Sequence, residues 1–151
     1  MRRRAAFALA AACCVAAPAA PAAAQQREVV RTPGAGAPTD LPFSPAIRAG
    51  GFLFLSGQIG NVPGTRTLVA GGAAAETRQA MENLGVVLRA AGSSWSRVVK
   101  CTVFLLDIND YAAMNAVYAS YFPTDPPARS TLAASGLALG ARVEIECIAL
   151  A

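Results

Sequence analysis

The sequence predicts an α+β domain with element order β-β-α-β-α-β-β, one mixed sheet carrying two helices on one face. Three observations predict it. Residues 73–91 place Thr77, Met81, Leu84, Leu88 and Ala91 at three- and four-residue spacing, the period of an amphipathic helix. Residues 52–59 and 98–107 on either side of it are apolar runs of strand length. The strand–helix–strand rhythm then repeats, and two right-handed crossovers that progress the same way put both helices on the same face.

Taken in order, residues 46–50 pair with 52–59 through the Gly50-Gly51 turn. Residues 61–72, with Pro63-Gly64, form a loop. On the helix over 73–91, Glu76, Gln79, Glu82 and Arg89 lie mostly away from the apolar stripe, and Gly92 stops it. Residues 98–107 are the next strand. Asn109 caps a second helix carrying Tyr111, Met114, Tyr118 and Phe122, which ends at Pro123. Two extended runs follow, 129–135 and 141–150, with 136–140 as their turn.

The strand over 98–107 has a further implication. Alternation puts Val99, Cys101, Val103 and Leu105 on one side and Lys100, Thr102, Phe104 and Leu106 on the other, so both sides are largely apolar. Two helices cover one face only. The other needs a cover, and a further copy of the chain is the simplest one.

The chain has 151 residues and 54% hydrophobic content, enough for one compact domain. Met1-Arg2-Arg3-Arg4, the Ala-rich stretch behind it and Ala22-Ala23-Ala24 read as a signal peptide over 1–24. Residues 25–40, with Pro33-Gly34-Ala35-Gly36, read as a flexible leader, and the folded domain spans 41–151. The expected location is periplasmic or secreted. Cleavage lowers 13 basic residues to 10 against 9 acidic ones, so the net charge falls from +4 to +1. No basic stripe with interleaved aromatics is left, which argues against nucleic-acid binding, and no membrane span remains. Cys13 and Cys14 leave with the signal. Cys101 and Cys147 lie in apolar strand-like runs and read by default as buried free thiols; a disulfide needs a Cα separation of about 4.4–6.8 Å, which stays open at this point.

Several chemistries are excluded or disfavoured. There is no histidine, hence no Ser–His or Cys–His nucleophile. Two separated cysteines give no zinc site, and no GxGxxG or P-loop pattern occurs in the domain. Catalysis without cofactor or metal falls to arginine, carboxylate, hydroxyl and backbone groups. Arg129, after Pro126-Pro127-Ala128, is a fork for a carboxylate ligand, and Glu144, on a neighbouring extended segment, can hold a water beside it. The structural alternative is a plain cross-strand ion pair between them.

Several segments together, in order, resemble the RidA (YjgF) family: Leu41-Pro42-Phe43-Ser44-Pro45, Phe54-Leu55-Ser56-Gly57-Gln58-Ile59-Gly60, Thr77-Arg78-Gln79-Ala80-Met81-Glu82-Asn83-Leu84, Met114-Asn115-Ala116-Val117-Tyr118, Pro127-Ala128-Arg129-Ser130 and Val143-Glu144-Ile145-Glu146. The resemblance implies a chorismate-mutase-like homotrimer with ligand sites between subunits. It implies hydrolysis of reactive 2-imino or 2-enamino acids to 2-keto acids and ammonia. Carried over, Arg129 matches the carboxylate-binding arginine and Glu144 the acid that holds the attacking water. Ser56, Gly57 and Thr131 line the pocket, Thr131 chiefly through backbone groups, and Asn115 is a nearby polar residue. Phe43 stands where the deaminases commonly carry tyrosine, and Thr131 where some carry cysteine. The alternative on the same fold is a non-catalytic small-carboxylate binding or chaperone-like protein.

Overall fold

The structure, a computed structural model, describes residues 27–32 and 41–151. The expected signal peptide and most of the expected leader lie outside the described residues. The elements are β1 (Glu28–Val30), β2 (Ala46–Ala49), β3 (Phe52–Ile59), α1 (Gly72–Ala90), β4 (Val98–Leu105), α2 (Tyr111–Ala119), β5 (Ala128–Ala133) and β6 (Val143–Leu150). They form one six-stranded sheet in the order β1-β2-β3-β6-β4-β5. Only β4 and β5 run parallel, so the sheet is mixed as expected.

Two expectations are corrected by this order. Part of the segment read as a leader donates β1, an edge strand on β2. Val30 there is buried, and Arg48 meets Glu28 at 3.3 Å, so three residues with no visible period find both an apolar and an ionic anchor. The last two strands are not a hairpin: β5 pairs only with β4, while β6 inserts between β3 and β4. Pairing between distant segments carries no local signature, whereas the turn at Gly50-Gly51 does, and that hairpin forms as read.

The core lies between one sheet face and the two helices. Leu53, Leu55, Cys101, Val103, Leu105, Ile145 and Cys147 meet Met81, Leu84 and Leu88 of α1 and Met114 and Tyr118 of α2. Gly92, at φ 71, ends α1 by turning the chain so that the Ser93 N–H donates to Leu88 O at 2.9 Å. The stripe read for α1 omits Glu76, which is buried after all. Its carboxylate accepts from the Arg142 backbone N–H at 2.8 Å, the partner that makes burial tolerable. The second helix differs at both ends. Asn109 does not cap it: it lies in a 3-10 turn over Ile108–Asp110, which Asp107 caps by accepting from Asn109 N at 2.9 Å. The helix itself starts behind Asp110 without a side-chain cap and stops at Ala119. In β4 the register shifts between Val98 and Lys100, so Val98 is buried and Val99 is exposed, contrary to strict alternation.

Among the described residues, no helix covers the opposite sheet face. Phe52, Phe54, Leu132 and Leu150 are exposed on it, the uncovered apolar face that the sequence implies.

Cys101 and Cys147 are not free. They are register partners on β4 and β6, their Cα atoms 4.1 Å apart, slightly closer than the separation usual for a disulfide, and are joined as one. Two buried apolar-strand cysteines look alike whether paired or not until β6 is known to lie beside β4. The bridge closes a loop 46 residues in sequence separation, so reducing it is expected to cost about 2–4 kcal/mol of stability. Urea unfolding with and without reductant checks this; coincident curves would mean the thiols are unpaired.

Candidate active site

The seven residues singled out in the sequence fall into two groups, on opposite faces of the sheet. Arg129 and Thr131 are register partners of Cys101 and Val103 and so share the helix-covered face. Glu144 is the partner of Phe104 and Ile59, one residue out of step with the buried Val143 and Ile145, and faces the open side. Strand β4 also lies between β5 and β6, so the expected neighbouring segments are not neighbours. No ion pair joins Arg129 to Glu144, which removes the cross-strand salt-bridge reading within one chain.

On the helix side, α2 builds a cradle for Arg129. Tyr111, Asn115 and Tyr118 recur at four- and three-residue spacing and therefore share a helix face. Arg129 Nη2 donates to Tyr111 OH at 2.9 Å and to Asn115 Oδ1 at 2.8 Å. Its Cζ lies 4.5 Å from the centre of the Tyr118 ring and 5.6 Å from that of Tyr111, within cation–π range. These contacts hold one corner of the guanidinium and one flat face. Among the described residues, the remaining N–H groups have no hydrogen-bond partner and are available to a ligand. A pocket of about 380 Å³ opens beside it, lined by Asn115, Tyr118, Phe122, Pro126, Pro127 and Arg129. Burial pushes the Tyr118 phenol up to about 12, opposed by the Arg129 charge, so this hydroxyl stays protonated. Tyr118 OH and Thr131 Oγ1 are both buried without a hydrogen-bond partner. The sequence placed Tyr111 and Tyr118 in the helix but gave them no part in the site; the signal available was their spacing with Asn115.

On the open side, a β-bulge shapes the site. Between Leu55 and Gln58, β3 carries one residue more than β6 does between Cys147 and Ile145. The extra residue lies at Ser56-Gly57. Ser56 Oγ donates to Ser44 O at 2.7 Å and Ser56 N to Pro45 O at 3.0 Å, so the segment that carries Phe43 is tied to the bulge. Gly57 lies directly under the Glu144 carboxylate, where a Cβ would come 2.0 Å from Oε1. Only a glycine leaves that seat open. Burial, and secondarily the Glu146 charge, raise the pKa of Glu144 above the usual carboxylate value.

A second pocket of about 250 Å³ surrounds Glu144, with Phe43, Gly57, Ile59, Asn61, Ala138 and Leu139 in its lining. Leu139 has φ 58 and ψ 13, a left-handed conformation that costs a leucine about 1–2 kcal/mol. The loop is held in place next to it. Arg142 donates through Nε and Nη2 to Asp110 Oδ2 at 2.8 and 2.7 Å, while its backbone N–H binds Glu76. Asn83 Nδ2 donates to Ile59 O and Asn61 O, both at 3.1 Å, and fixes the far end of β3.

Among the described residues, no helix is long and apolar enough to cross a membrane.

Residues 35–151 match the family described as endoribonuclease L-PSP. The chain is 42% identical over 125 residues to the human protein named 2-iminobutanoate/2-iminopropanoate deaminase, covering 82% of this chain and 90% of that one. It is 44% identical over 124 residues to Reactive Intermediate Deaminase A, chloroplastic, of Arabidopsis thaliana, covering 82% of this chain and 66% of that protein's length. Among solved structures, the Rid-family protein YyfA of Yersinia pestis superposes with a TM-score of 0.78 at 41% identity, covering 83% of this chain and 100% of that one. The fold, the ordered motifs and these relatives agree: the chain belongs to the endoribonuclease L-PSP family, the family of RidA and YjgF.

Proposed function

We propose that the protein is an exported homotrimeric deaminase that hydrolyses 2-imino and 2-enamino acids to 2-keto acids and ammonia, at sites each built from two chains. The observation that carries this reading is the split site: a cradled Arg129 with part of its fork open, and a Glu144 seated on Gly57, on opposite faces of one sheet. Neither half suffices for the chemistry. A second copy laid against the exposed Phe52, Phe54, Leu132 and Leu150 would cover the open face and bring its Arg129 towards the first copy's Glu144. The deaminase names of the relatives support the reaction class.

Arg129 binds the substrate carboxylate, with Asn115 and Tyr111 fixing the guanidinium, so that the imine carbon is presented in one orientation. Glu144 takes a proton from a water as its oxygen bonds to that carbon. Glu144 returns that proton to the carbinolamine nitrogen. The bond from nitrogen to carbon then breaks as the hydroxyl gives its own proton to the Glu144 carboxylate, so that C=O forms and ammonia leaves. An enamine enters the same course after protonation at carbon. A raised carboxyl pKa suits a group that both accepts and returns a proton. Thr131 and Ser56 border the two halves, Thr131 beside Arg129 and Ser56 holding the Phe43 segment.

Export of the domain after removal of 1–24 is supported by the N-terminal pattern and fits the buried disulfide, a bond that persists in oxidising compartments. The endoribonuclease in the family's description finds little support in this chain, which has no histidine and a net charge near +1 after cleavage.

The test is complementation. Arg129→Lys and Glu144→Gln proteins should each be weak alone, and co-refolding them in equal amounts should restore about a quarter of the sites, because the two chains share each one. No recovery would place both residues in one chain's site or outside the chemistry. Glu144→Gln carries a second signature. Its folded pKa is raised, so its contribution to stability falls as pH rises through that value and the ionised acid is a burden at neutral pH. The substitution should therefore keep or raise the melting temperature while lowering turnover, and the wild type should lose activity towards acid at a pH above the ordinary carboxylate range. Binding of 2-ketobutyrate without any acceleration of imine hydrolysis would favour the non-catalytic binder.

A further inference from the structure

We propose that the cavity beside Glu144 is a side-chain subsite for bulky apolar, preferentially aromatic, 2-imino acids. This rests on the deaminase reading for the polar end of the ligand. The cavity holds about 250 Å³, with the Glu144 carboxylate seated on Gly57 and with Gln58, Thr65 and Arg66 also in its lining. Its apolar wall is made by Leu41, Phe43, Ile59, Ala138 and Leu139. The Asn61 amide in the lining is committed to backbone, donating to Thr65 O at 2.9 Å.

Size decides between ligand classes. A cavity of about 150 Å³ lined by Leu, Ile and Phe holds a benzene molecule. The space here therefore takes a phenyl ring, whereas a methyl or ethyl group leaves most of the apolar wall against water. Each further buried methylene is worth about fourfold in affinity.

Two wall residues are unusually placed for a purely structural role. Phe43 and Leu139 are 49% and 54% exposed, large apolar side chains facing one opening. Leu139 is held in the left-handed region, where glycine or asparagine would sit without cost, and its backbone is fixed from the Arg142 side by Glu76 and Asp110. Strain kept at an exposed leucine over a carboxylate is accounted for if the leucine contacts a ligand.

The experiment uses imines generated in place by an L-amino-acid oxidase from 2-aminobutyrate and from phenylalanine, with spontaneous hydrolysis subtracted. Calorimetric titration with 2-ketobutyrate and phenylpyruvate runs beside it. Wild type should favour the phenyl compound by about tenfold or more in kcat/KM and in affinity. Leu139→Gly should lower that ratio about tenfold without lowering the melting temperature, since glycine is at ease at this φ. Leu139→Asn, which tolerates the same backbone and keeps it stiffer, should do the same. Equal or better handling of the four-carbon compounds by the wild type, or a ratio unmoved in both variants, overturns the subsite and leaves the deaminase reading intact. Absence of turnover on both imines sinks the deaminase reading, and the ratio of the two binding constants still decides the subsite.

Discussion

Arg129→Lys should retain the fold and the assembly yet lose about 2–4 kcal/mol of transition-state binding, a fall of roughly 30- to 1000-fold in kcat/KM. The geometry sets the size of the effect. The native guanidinium is held at one corner by Tyr111 OH and Asn115 Oδ1 and lies flat on Tyr118, so the rest of its fork is presented in a fixed plane. An ammonium in the same cradle satisfies the hydroxyl and the amide oxygen and then has no planar pair of donors left for a carboxylate. Calorimetry with 2-ketobutyrate and a coupled imine-hydrolysis assay measure the two parts of the loss. Wild-type values in the lysine variant would return Arg129 to a structural role on α2.

Gly57→Ala is expected to be nearly as severe through a different route. The added Cβ would come 2.0 Å from Glu144 Oε1, 2.9 Å from Cδ and 3.1 Å from Cγ. No backbone is among those nearest atoms, so the carboxylate swings away and the fold survives. If Glu144 orients the water as proposed, a displacement of about 1 Å costs on the order of a hundredfold in kcat. Thermal unfolding should change little, and carboxylate affinity, which the proposed function assigns to Arg129, should be largely kept. Unchanged turnover would show that the position of Glu144 does not matter to the reaction.

The fold class was legible because α1 and the β2–β3 hairpin are local: a 3.6-residue period and a Gly-Gly turn leave marks in the string itself. The insertion of β6 between β3 and β4 was not, and the disulfide went unread with it, since Cys101 and Cys147 become partners only through that placement. Glu76 was misread because its polar character predicts exposure, whereas a single backbone N–H two residues ahead of Glu144 makes burial acceptable. The candidate residues themselves were found, chiefly through their ordered resemblance to a family. Their division between two faces was hidden, because an alternation of polar and apolar residues gives the parity of one strand but not its phase relative to another. The bulge at Ser56-Gly57 and the α2 cradle were likewise invisible to strand and helix periods taken separately.

The disulfide also grades the molecule by how readily its parts open. Strands β4 and β6 are hydrogen-bonded on both sides and covalently clasped at their middles, so their amides should be among the slowest in the domain to exchange with solvent. Among the described residues, strand β5 is an edge, paired on one side only, and β1 is an edge of three residues. Glu144 thus rides on the most rigid part of the chain and Arg129 on a margin that can breathe. An anion gripped by Arg129 would quiet that margin, so ligand should slow exchange along residues 128–133 while leaving β6, already at its limit, unmoved.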